Sequence, residues 1–204
     1  MKRPPMHTYL REDIPIVPMR VMTTSQVPIH QTEAAQALVD RLVKDGVLMQ
    51  ENEPTEWISR GLFVPKPNKG VRLVTDFRQL NKYVKRPVHP FPSASEIMQH
   101  LKPDSRVFCK MDATQGYFQM PLDEPSSKLT TFLLPSGCYR YLRSPMGLNA
   151  SSDEWCYSSD QLVHGLPYAQ KIVDDILIEA PDLKLLFKRI RDILKRCALS
   201  LIHI

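Results

Sequence analysis

The 204-residue sequence has no apolar run approaching the roughly 20 residues of a membrane span, and its N-terminus lacks the apolar core of a signal peptide. We therefore expect an intracellular protein with no membrane partner. No glycine-rich phosphate loop follows a predicted strand, which argues against a P-loop nucleotidase or a Rossmann dehydrogenase. The few cysteines match neither a zinc pattern nor a disulfide framework and are predicted to be reduced packing residues: Cys109, Cys138, Cys156 and Cys197.

Positive charge is concentrated in one stretch of the chain. The net charge is +5, yet residues 60–86 alone hold eight basic residues against the single acid Asp76. This stretch coincides with a predicted hairpin whose arms are residues 62–65 and 71–75. Basic groups on a hairpin suit contact with nucleic-acid phosphates, although a solvated face is the alternative.

Two adjacent aspartates, Asp174 and Asp175, interrupt an apolar, β-branched run over residues 171–178. Unpaired carboxylates are costly inside a buried strand, so we predict a hairpin with arms at 172–173 and 176–178. The aspartates would then occupy the turn, where a divalent cation can reach them. The alternative is a solvated turn without chemistry.

A third carboxylate, Asp112, ends a predicted strand over residues 107–112. That strand follows a predicted helix over 94–101, which opens with a capping box from Ser93 to Glu96. Three converging carboxylates are the ligand set expected for two magnesium ions about 4 Å apart, so we expect the three carboxyl groups within about 6 Å of one another. Taken alone, Asp112 could also be a cap or a turn residue.

The rest of the pattern predicts an α+β fold with an antiparallel sheet. Residues 1–31 are proline-rich and are predicted to form an extended linker or arm. Further predictions are a helix capped by Thr32 and ended by Gly46, a hairpin over 129–142 turning at 135–137, a helix opened by a capping box at 151–154, and a core-facing helical stripe from residue 183. The stripe comprises Leu183, Leu186, Phe187, Ile190, Ile193, Leu194 and Cys197.

These motifs together resemble the reverse transcriptases of gypsy-type LTR retrotransposons over roughly residues 30–200. The resemblance is carried by Asp112 with an aromatic residue five positions later, by the run 172–175, and by residues 71–81. Further blocks occur in the family's order: 57–65, 121–123, 130–132 and 144–148.

The resemblance implies a right-hand polymerase fold with an antiparallel palm sheet packed on helices. Fingers would comprise residues 32–88 and 120–151, and the palm residues 89–119 and 152–204. We expect neither the thumb nor the ribonuclease H domain of the family within these 204 residues. The chain is therefore expected to be a fragment or decayed copy of a longer polyprotein and to be poorly active or inactive by itself. The remainder of the polyprotein would be a partner. The expected location is a cytoplasmic retroelement particle or the nucleus.

The implied activity is RNA-directed DNA polymerisation on an RNA or DNA template with a primer. The primer 3′-hydroxyl would attack the α-phosphate of a dNTP with two Mg²⁺ ions, or Mn²⁺ as an alternative, and pyrophosphate would leave. The catalytic and metal-binding residues would be Asp112, Asp174 and Asp175. The nucleotide-binding residues would be Lys66, Arg72, Ala113, Tyr117, Met146 and Gly147, and the nucleic-acid contacts Lys69 and Arg78.

Several of these assignments have alternatives. Lys69 could replace Lys66 at the triphosphate, Tyr117 could be a core aromatic instead of the residue that excludes a ribose 2′-hydroxyl, and Arg78 could pair with Asp76. The family usually has tyrosine where this chain has Ile172. The other functional hypothesis is a catalytically silent remnant that keeps the fold and binds nucleic acid non-specifically.

Overall fold

The structure, a computed structural model, describes residues 4–67, 70–90 and 92–204. These residues form two compact units. The first, which we call the three-stranded unit, comprises Pro87–Gln119 and Ser152–Ile204. The second, the five-stranded unit, comprises Pro4–Arg86 and Met120–Ser151. The boundaries predicted between palm and fingers, at residues 88/89, 119/120 and 151/152, lie within two residues of the boundaries between these units. The five-stranded unit also includes most of the predicted N-terminal arm, because it begins at Pro4 and not at residue 32. The names palm and fingers stay predictions.

The three-stranded unit is a small antiparallel sheet with helices. Its strands are β4 (Val107–Asp112), β7 (Ala169–Ile172) and β8 (Asp175–Ala180), in the order β4-β8-β7. Its helices are α2 (Ala94–His100), α4 (Asn149–Ser159, which begins in the other unit) and α5 (Leu183–Ser200). Helix α5 packs on β4 and β8. Trp155, Ile178 and Ile193 are buried within this unit.

The five-stranded unit has a sheet in the order β1-β6-β5-β2-β3. Its strands are β1 (Leu48–Gln50), β2 (Ser59–Pro65), β3 (Val71–Asp76), β5 (Phe132–Leu134) and β6 (Gly137–Tyr141), and its helices are α1 (Thr32–Lys44) and α3 (Glu124–Leu129). Strands β2 and β5 are parallel, and the other pairs are antiparallel. The basic stretch therefore includes the predicted hairpin, β2–β3, with Lys66 N–H donating to the Gly70 carbonyl across its turn.

The proline-rich N-terminal segment is part of the five-stranded unit and packs against its other residues. Residues 4–28 form only isolated β-bridges, among them Met6 with Leu122 and Arg20 with Ile58. The Met6 side chain is buried. The described part of this segment is therefore an ordered arm, although it lacks regular secondary structure.

Some helix starts were predicted correctly and others were wrong. Ser93 and Glu96 form the predicted capping box of α2. Thr32 does not cap α1, because a short 3-10 helix at Ile29–Gln31 precedes it and the chain is already helical there. The capping box predicted at 151–154 is also wrong, because α4 begins at Asn149 and those residues lie inside the helix.

Two further predictions need correction. The tight turn of the aspartate hairpin is Val173–Asp174, since Ile172 pairs with Asp175 across β7 and β8. Asp175 is therefore the first residue of β8 and not a turn residue. On α5 only one side of the predicted stripe is covered, so that Leu186, Ile193 and Cys197 are buried while Leu183, Phe187 and Leu194 are exposed.

A buried ion pair in the five-stranded unit offers a test of this fold. Arg140 Nε lies 2.9 Å from Glu51 Oε2, with both side chains at least 90% buried, and Arg140 also donates to Ser127 Oγ. We expect Arg140→Met alone to lower the free energy of unfolding by about 3–5 kcal/mol, because it leaves a buried carboxylate unpaired. The double variant Glu51→Met/Arg140→Met should recover most of that loss in urea denaturation. A double variant as unstable as the single one would contradict the burial of this pair.

Candidate active site

The antiparallel pairing of β4 with β8 places Asp112 opposite Asp175. Beyond this pair the Ala113 N–H donates to the Asp174 carbonyl at 3.0 Å, which ties the residue after β4 to the hairpin turn. Directly opposed residues of an antiparallel pair have their Cβ atoms about 5 Å apart on the same face. Strand pairing therefore brings the predicted aspartates together at one end of the three-stranded sheet.

The turn that carries Asp174 has a strained backbone. Val173 has a φ of 51°, a conformation that is unfavourable for a β-branched residue and normally requires glycine, asparagine or aspartate. Its carbonyl accepts a hydrogen bond from Trp155 Nε1 at 3.1 Å and lies 3.5 Å from Lys171 Nζ. These contacts hold the turn in a conformation that its own sequence disfavours.

Lys171 is a buried cation beneath this turn. Its ammonium lies 2.9 Å from Asp160 Oδ1, and the second oxygen of Asp160 lies 2.7 Å from His89 Nε2. A buried lysine needs such a partner to keep its charge. The ion pair with Asp160 therefore fixes the position of the Lys171 ammonium on the buried side of the hairpin.

Asp174 is a half-buried carboxylate beside the other two aspartates. Burial raises the pKa of its carboxyl group, the negative charges of Asp112 and Asp175 raise it further, and Lys171 and the Trp155 indole act in the opposite direction. Its Oδ1 is buried and accepts no hydrogen bond within the part of the chain that the structure describes. An orphaned carboxylate oxygen beside two further carboxylates is suited to a divalent cation, which would satisfy it.

Gly116 gives Asp174 and Trp155 the space they occupy. A Cβ at this position would lie 2.7 Å from Asp174 Oδ1 and 2.8 Å from the Trp155 ring. The next residue, Tyr117, packs edge-to-face on Trp155 with ring centroids 6.4 Å apart. Burial and then the nearby Asp174 raise the pKa of Tyr117 to about 12, so its phenol is neutral. This half-buried position is compatible with both hypotheses for Tyr117, that it is a core aromatic and that it contacts the substrate.

Gln119 fixes the loop that follows Asp112. Its amide nitrogen donates to the carbonyls of Thr114 and His203, both at 2.8 Å, and its carbonyl oxygen accepts from the His203 N–H. The Thr114 N–H also donates to the His203 carbonyl. Residues after α5 therefore help to position the loop beside the aspartates.

Asp175 already has a cationic partner. Lys110 Nζ lies 2.8 Å from Asp175 Oδ2, and this contact, with a contribution from Asp112, raises the pKa of Lys110. Among the described residues, no three His, Cys, Asp or Glu side chains are arranged as ready ligands of one metal ion. The three aspartates are thus neighbours, but this conformation does not present all of them to a common cation.

The donor set nevertheless fits a divalent ion at Asp112 and Asp174. Carboxylate oxygens are the ligands that Mg²⁺ prefers, and the unpaired Asp174 oxygen has no competing donor among the described residues. Asp175 Oδ2 could join them only after Lys110 moves away. The structure therefore supports Asp112 and Asp174 as the primary candidate ligands.

The remaining predicted site residues belong to the five-stranded unit, apart from Ala113 and Tyr117. Lys66 and Arg72 are exposed at and beside the turn of the β2–β3 hairpin. Lys69 lies outside the described residues. Arg78 forms a bidentate pair with Asp76, with contacts of 2.9 and 2.6 Å, so the ion-pair alternative is the contact that the structure shows. Its side chain is still 86% exposed.

Met146 and Gly147 lie in a turn that Asn81 holds. Asn81 Nδ2 donates to the Gly147 carbonyl at 2.8 Å, and its Oδ1 accepts from the Asn149 N–H at 2.9 Å. Gly147 has a φ of +87°, which explains why glycine stands there. Met146 is 61% exposed.

Sequence reasoning missed several residues of the candidate site: Lys110, Gly116, Gln119, Trp155 and Lys171. Lys110 could have been identified from the sequence, because residues two apart on a strand share a face and Asp112 had been assigned to the strand end. The others contribute through contacts between segments distant in sequence, which no local pattern reveals.

Comparison with known proteins agrees with this geometry. The family model described as "Reverse transcriptase (RNA-dependent DNA polymerase)" matches residues 64–203. The chain is 30% identical over 178 residues to the retrovirus-related Pol polyprotein from transposon 412 of Drosophila melanogaster, covering 83% of this chain and 14% of that polyprotein. It is 27% identical to the Pol polyprotein from transposon opus of the same organism, covering 82% of this chain and 17% of the relative.

Solved structures show the same fold. The foamy viral protease-reverse transcriptase in complex with RNA/DNA hybrid has a TM-score of 0.80 and 22% identity, covering 98% of this chain and 26% of that protein. The native prototype foamy virus protease-reverse transcriptase has a TM-score of 0.77 and 23% identity, covering 90% of this chain and 24% of that one. The chain thus spans only a small part of the proteins that it matches.

No helix among the described residues is long and apolar enough to cross a membrane. The two-unit α+β architecture, the aspartates at the end of the three-stranded sheet and the family match over most of the sequence agree with one another. The chain belongs to the reverse transcriptase (RNA-dependent DNA polymerase) family.

Proposed function

We propose that this chain is the catalytic part of an RNA-directed DNA polymerase that transfers a nucleotide from a dNTP to a primer 3′-hydroxyl. The observation that carries the proposal is the β4–β8 register, which sets Asp112 against Asp175 and ties Asp174 to Ala113. The relatives are retrotransposon polyproteins, and we propose a gypsy-type element as the source. The intact polyprotein, in a cytoplasmic particle or the nucleus, would supply the remaining domains.

In the proposed reaction a bond forms between the primer 3′-oxygen and the α-phosphorus, and the bond from that phosphorus to the pyrophosphate oxygen breaks. Two Mg²⁺ ions, or Mn²⁺, would stabilise the charge on the attacking and leaving oxygens. Asp112 and Asp174 would hold these ions, with Asp175 as a further ligand. The contribution of the protein is to hold the carboxylates close together before the substrates arrive.

Other contacts in the proposal depend on the family resemblance. Ala113 and Tyr117 would line the nucleotide site, with Tyr117 limiting space for a ribose 2′-hydroxyl. Lys66, Arg72, Met146 and Gly147 are the further proposed nucleotide contacts. Lys69 and Arg78 are the proposed contacts to the template and primer, and Arg78 would exchange or share its partner Asp76.

Primer extension tests the proposal directly. Purified chain is incubated with an RNA template, a labelled DNA primer, dNTPs and Mg²⁺, and extended products are resolved. We expect weak, non-processive nucleotide addition that Asp112→Asn and Asp174→Asn abolish and that Asp104→Asn, an exposed acid elsewhere in the three-stranded unit, leaves intact. Absence of extension by a folded chain that binds both primer-template and metal would favour the silent remnant.

Asp174→Asn should stabilise the folded chain, whereas most substitutions of buried residues destabilise it. Because the pKa of Asp174 is raised, its ionised form destabilises the folded state above that pKa, and stability increases as pH falls through it. In EDTA at pH 8 the variant should therefore have a higher Tm than the wild type. The difference in Tm between Asp174→Asn and the wild type should become smaller as the pH is lowered.

Magnesium should raise the wild-type Tm and leave Asp174→Asn nearly unchanged, because bound cation relieves the repulsion between the carboxylates. Differential scanning fluorimetry with and without Mg²⁺ makes the comparison, with Asp104→Asn as the charge-matched control. A variant that is less stable than wild type in EDTA would show that Asp174 is not electrostatically strained.

Gly116→Ala should disrupt the site by steric overlap, without any change of charge. The new methyl group overlaps Asp174 Oδ1 and the Trp155 ring, and displacement of a catalytic group by about 1 Å can reduce the rate by roughly 100-fold. Overpacking should also lower stability by about 1–3 kcal/mol. Gly70→Ala, whose methyl group would meet no atom of the described residues closer than 3.9 Å, is the stability control. Full extension activity in Gly116→Ala would contradict the tight packing.

Binding to nucleic acid should weaken steeply with salt, because the basic hairpin acts by counterion release. In fluorescence anisotropy, replacing Lys66, Lys69 and Arg72 by glutamine should reduce the slope of log affinity against log salt by about 2–3 for DNA and RNA alike. Lys184, Lys188 and Lys195 on α5, replaced together, provide a control with the same loss of charge. Equal losses in both triple variants would show that only net charge matters.

A further inference from the structure

Lys110 is a charged residue that the proposed chemistry does not yet use. It lies on β4 two positions before Asp112, so the two side chains share one face of the sheet. In the strand register Asp112 is opposite Asp175 and Lys110 is opposite Leu177. The ammonium of Lys110 therefore belongs to the same face as the two aspartates, and both Lys110 and Asp112 are exposed there.

The Lys110 ammonium pairs with Asp175, whereas Asp174 has an oxygen without a hydrogen-bond donor among the described residues. Its Nζ lies 2.8 Å from Asp175 Oδ2, whereas Asp174 Oδ1 accepts no hydrogen bond from any residue that the structure describes. Asp112 is near enough to act on the ammonium as well. A cation of the protein itself thus stands at the carboxylate where the family resemblance would place a metal ligand.

An ion pair of this exposure is weak. The Lys110 and Asp175 side chains are 67% and 44% exposed, and pairs of this kind are typically worth up to about 1 kcal/mol. A divalent ion can displace such an ammonium at modest cost. The ion pair therefore places Lys110 at Asp175 when no divalent ion is bound, but it is too weak to keep a divalent ion from Asp175.

We propose that Lys110 occupies Asp175 in place of a metal ion, so that without substrate the site binds one divalent ion, through Asp112 and Asp174. Asp175 Oδ2 becomes available to a second ion only when the Lys110 ammonium leaves it. The displaced ammonium stays on the same face, where it can meet a phosphate group of an incoming polyanionic substrate. This inference rests on the proposed function and specifies the order in which its ligands become available.

Titration with Mn²⁺ tests the inference on the full chain without nucleotide. At low ionic strength, isothermal calorimetry is carried out on the wild type, Lys110→Met, Lys110→Arg and Lys188→Met, an exposed lysine of α5. We expect the wild type to bind one ion and Lys110→Met to bind about threefold to fivefold more tightly, which corresponds to the loss of an exposed ion pair. A second equivalent of Mn²⁺ bound by Lys110→Met would also support the proposal. Lys110→Arg and Lys188→Met should match the wild type.

Thermal denaturation provides a second readout that a purely structural lysine would not produce. Lys110→Met should have a lower Tm than wild type in EDTA, because Asp175 loses its partner, and a larger increase in Tm on adding Mn²⁺. Unchanged or weaker Mn²⁺ binding by Lys110→Met would overturn the inference. If neither wild type nor Lys110→Met binds Mn²⁺ measurably, the inference is likewise overturned.

One additional variant separates this inference from the proposed function. Asp174→Asn should lose Mn²⁺ binding in both the wild-type and the Lys110→Met backgrounds. If Asp174→Asn binds as wild type does, the ion is elsewhere and the metal site of the proposed function fails. If Asp174→Asn loses binding while Lys110→Met equals wild type, the metal site stands and only the role of Lys110 fails.

Discussion

The rest of the candidate site depends on the mutual repulsion of three carboxylates held at one end of a small sheet. Like charges at this distance oppose folding, and at the half-buried Asp174 burial first and then the charges of Asp112 and Asp175 raise the pKa of the carboxyl group. The β4–β8 pairing supplies the opposing stabilisation, because backbone hydrogen bonds and the burial of Ile176 and Ile178 fix the register regardless of the charges at its end. A site of this kind is prepared for cations because it is unfavourable without them.

A set of contacts around Val173 holds the turn that carries Asp174. Trp155 donates to the Val173 carbonyl, Lys171 lies beneath it, and Gly116 leaves the space in which Trp155 and Asp174 meet. Gln119 plays the equivalent part for the loop after Asp112 by joining Thr114 to His203. Strain of this kind persists only where surrounding contacts determine the conformation, which is common at functional sites. The carboxylates are therefore positioned by packing and hydrogen bonds, so chemistry and stability are coupled in this unit.

Patterns local in sequence allowed much of the fold to be predicted. Strand β4, the basic hairpin and the capping box of α2 follow from alternation and turn chemistry. The candidate aspartates follow from carboxylates that interrupt an apolar run or end a strand, and the family resemblance added their catalytic role. The hairpin turn was misplaced by one residue because Asp-Asp is a better turn sequence than Val-Asp, and only tertiary contacts can stabilise a positive φ at Val173. Helix α4 begins early at Asn149, whose N–H is bonded by the distant Asn81. Gly116 and Trp155 act across segments far apart in the chain, so no periodicity could reveal them.

The central claim is that Asp112 and Asp174 form a divalent-cation site on the β4–β8 sheet. The most direct measurement is an anomalous-scattering map from a crystal of the chain grown with Mn²⁺, since this ion is located without assumptions about the reaction. The account predicts an anomalous peak within about 2–2.5 Å of carboxylate oxygens of both Asp112 and Asp174. A well-ordered map in which these two carboxylates bind no Mn²⁺, or in which the ion binds only elsewhere on the chain, would contradict it.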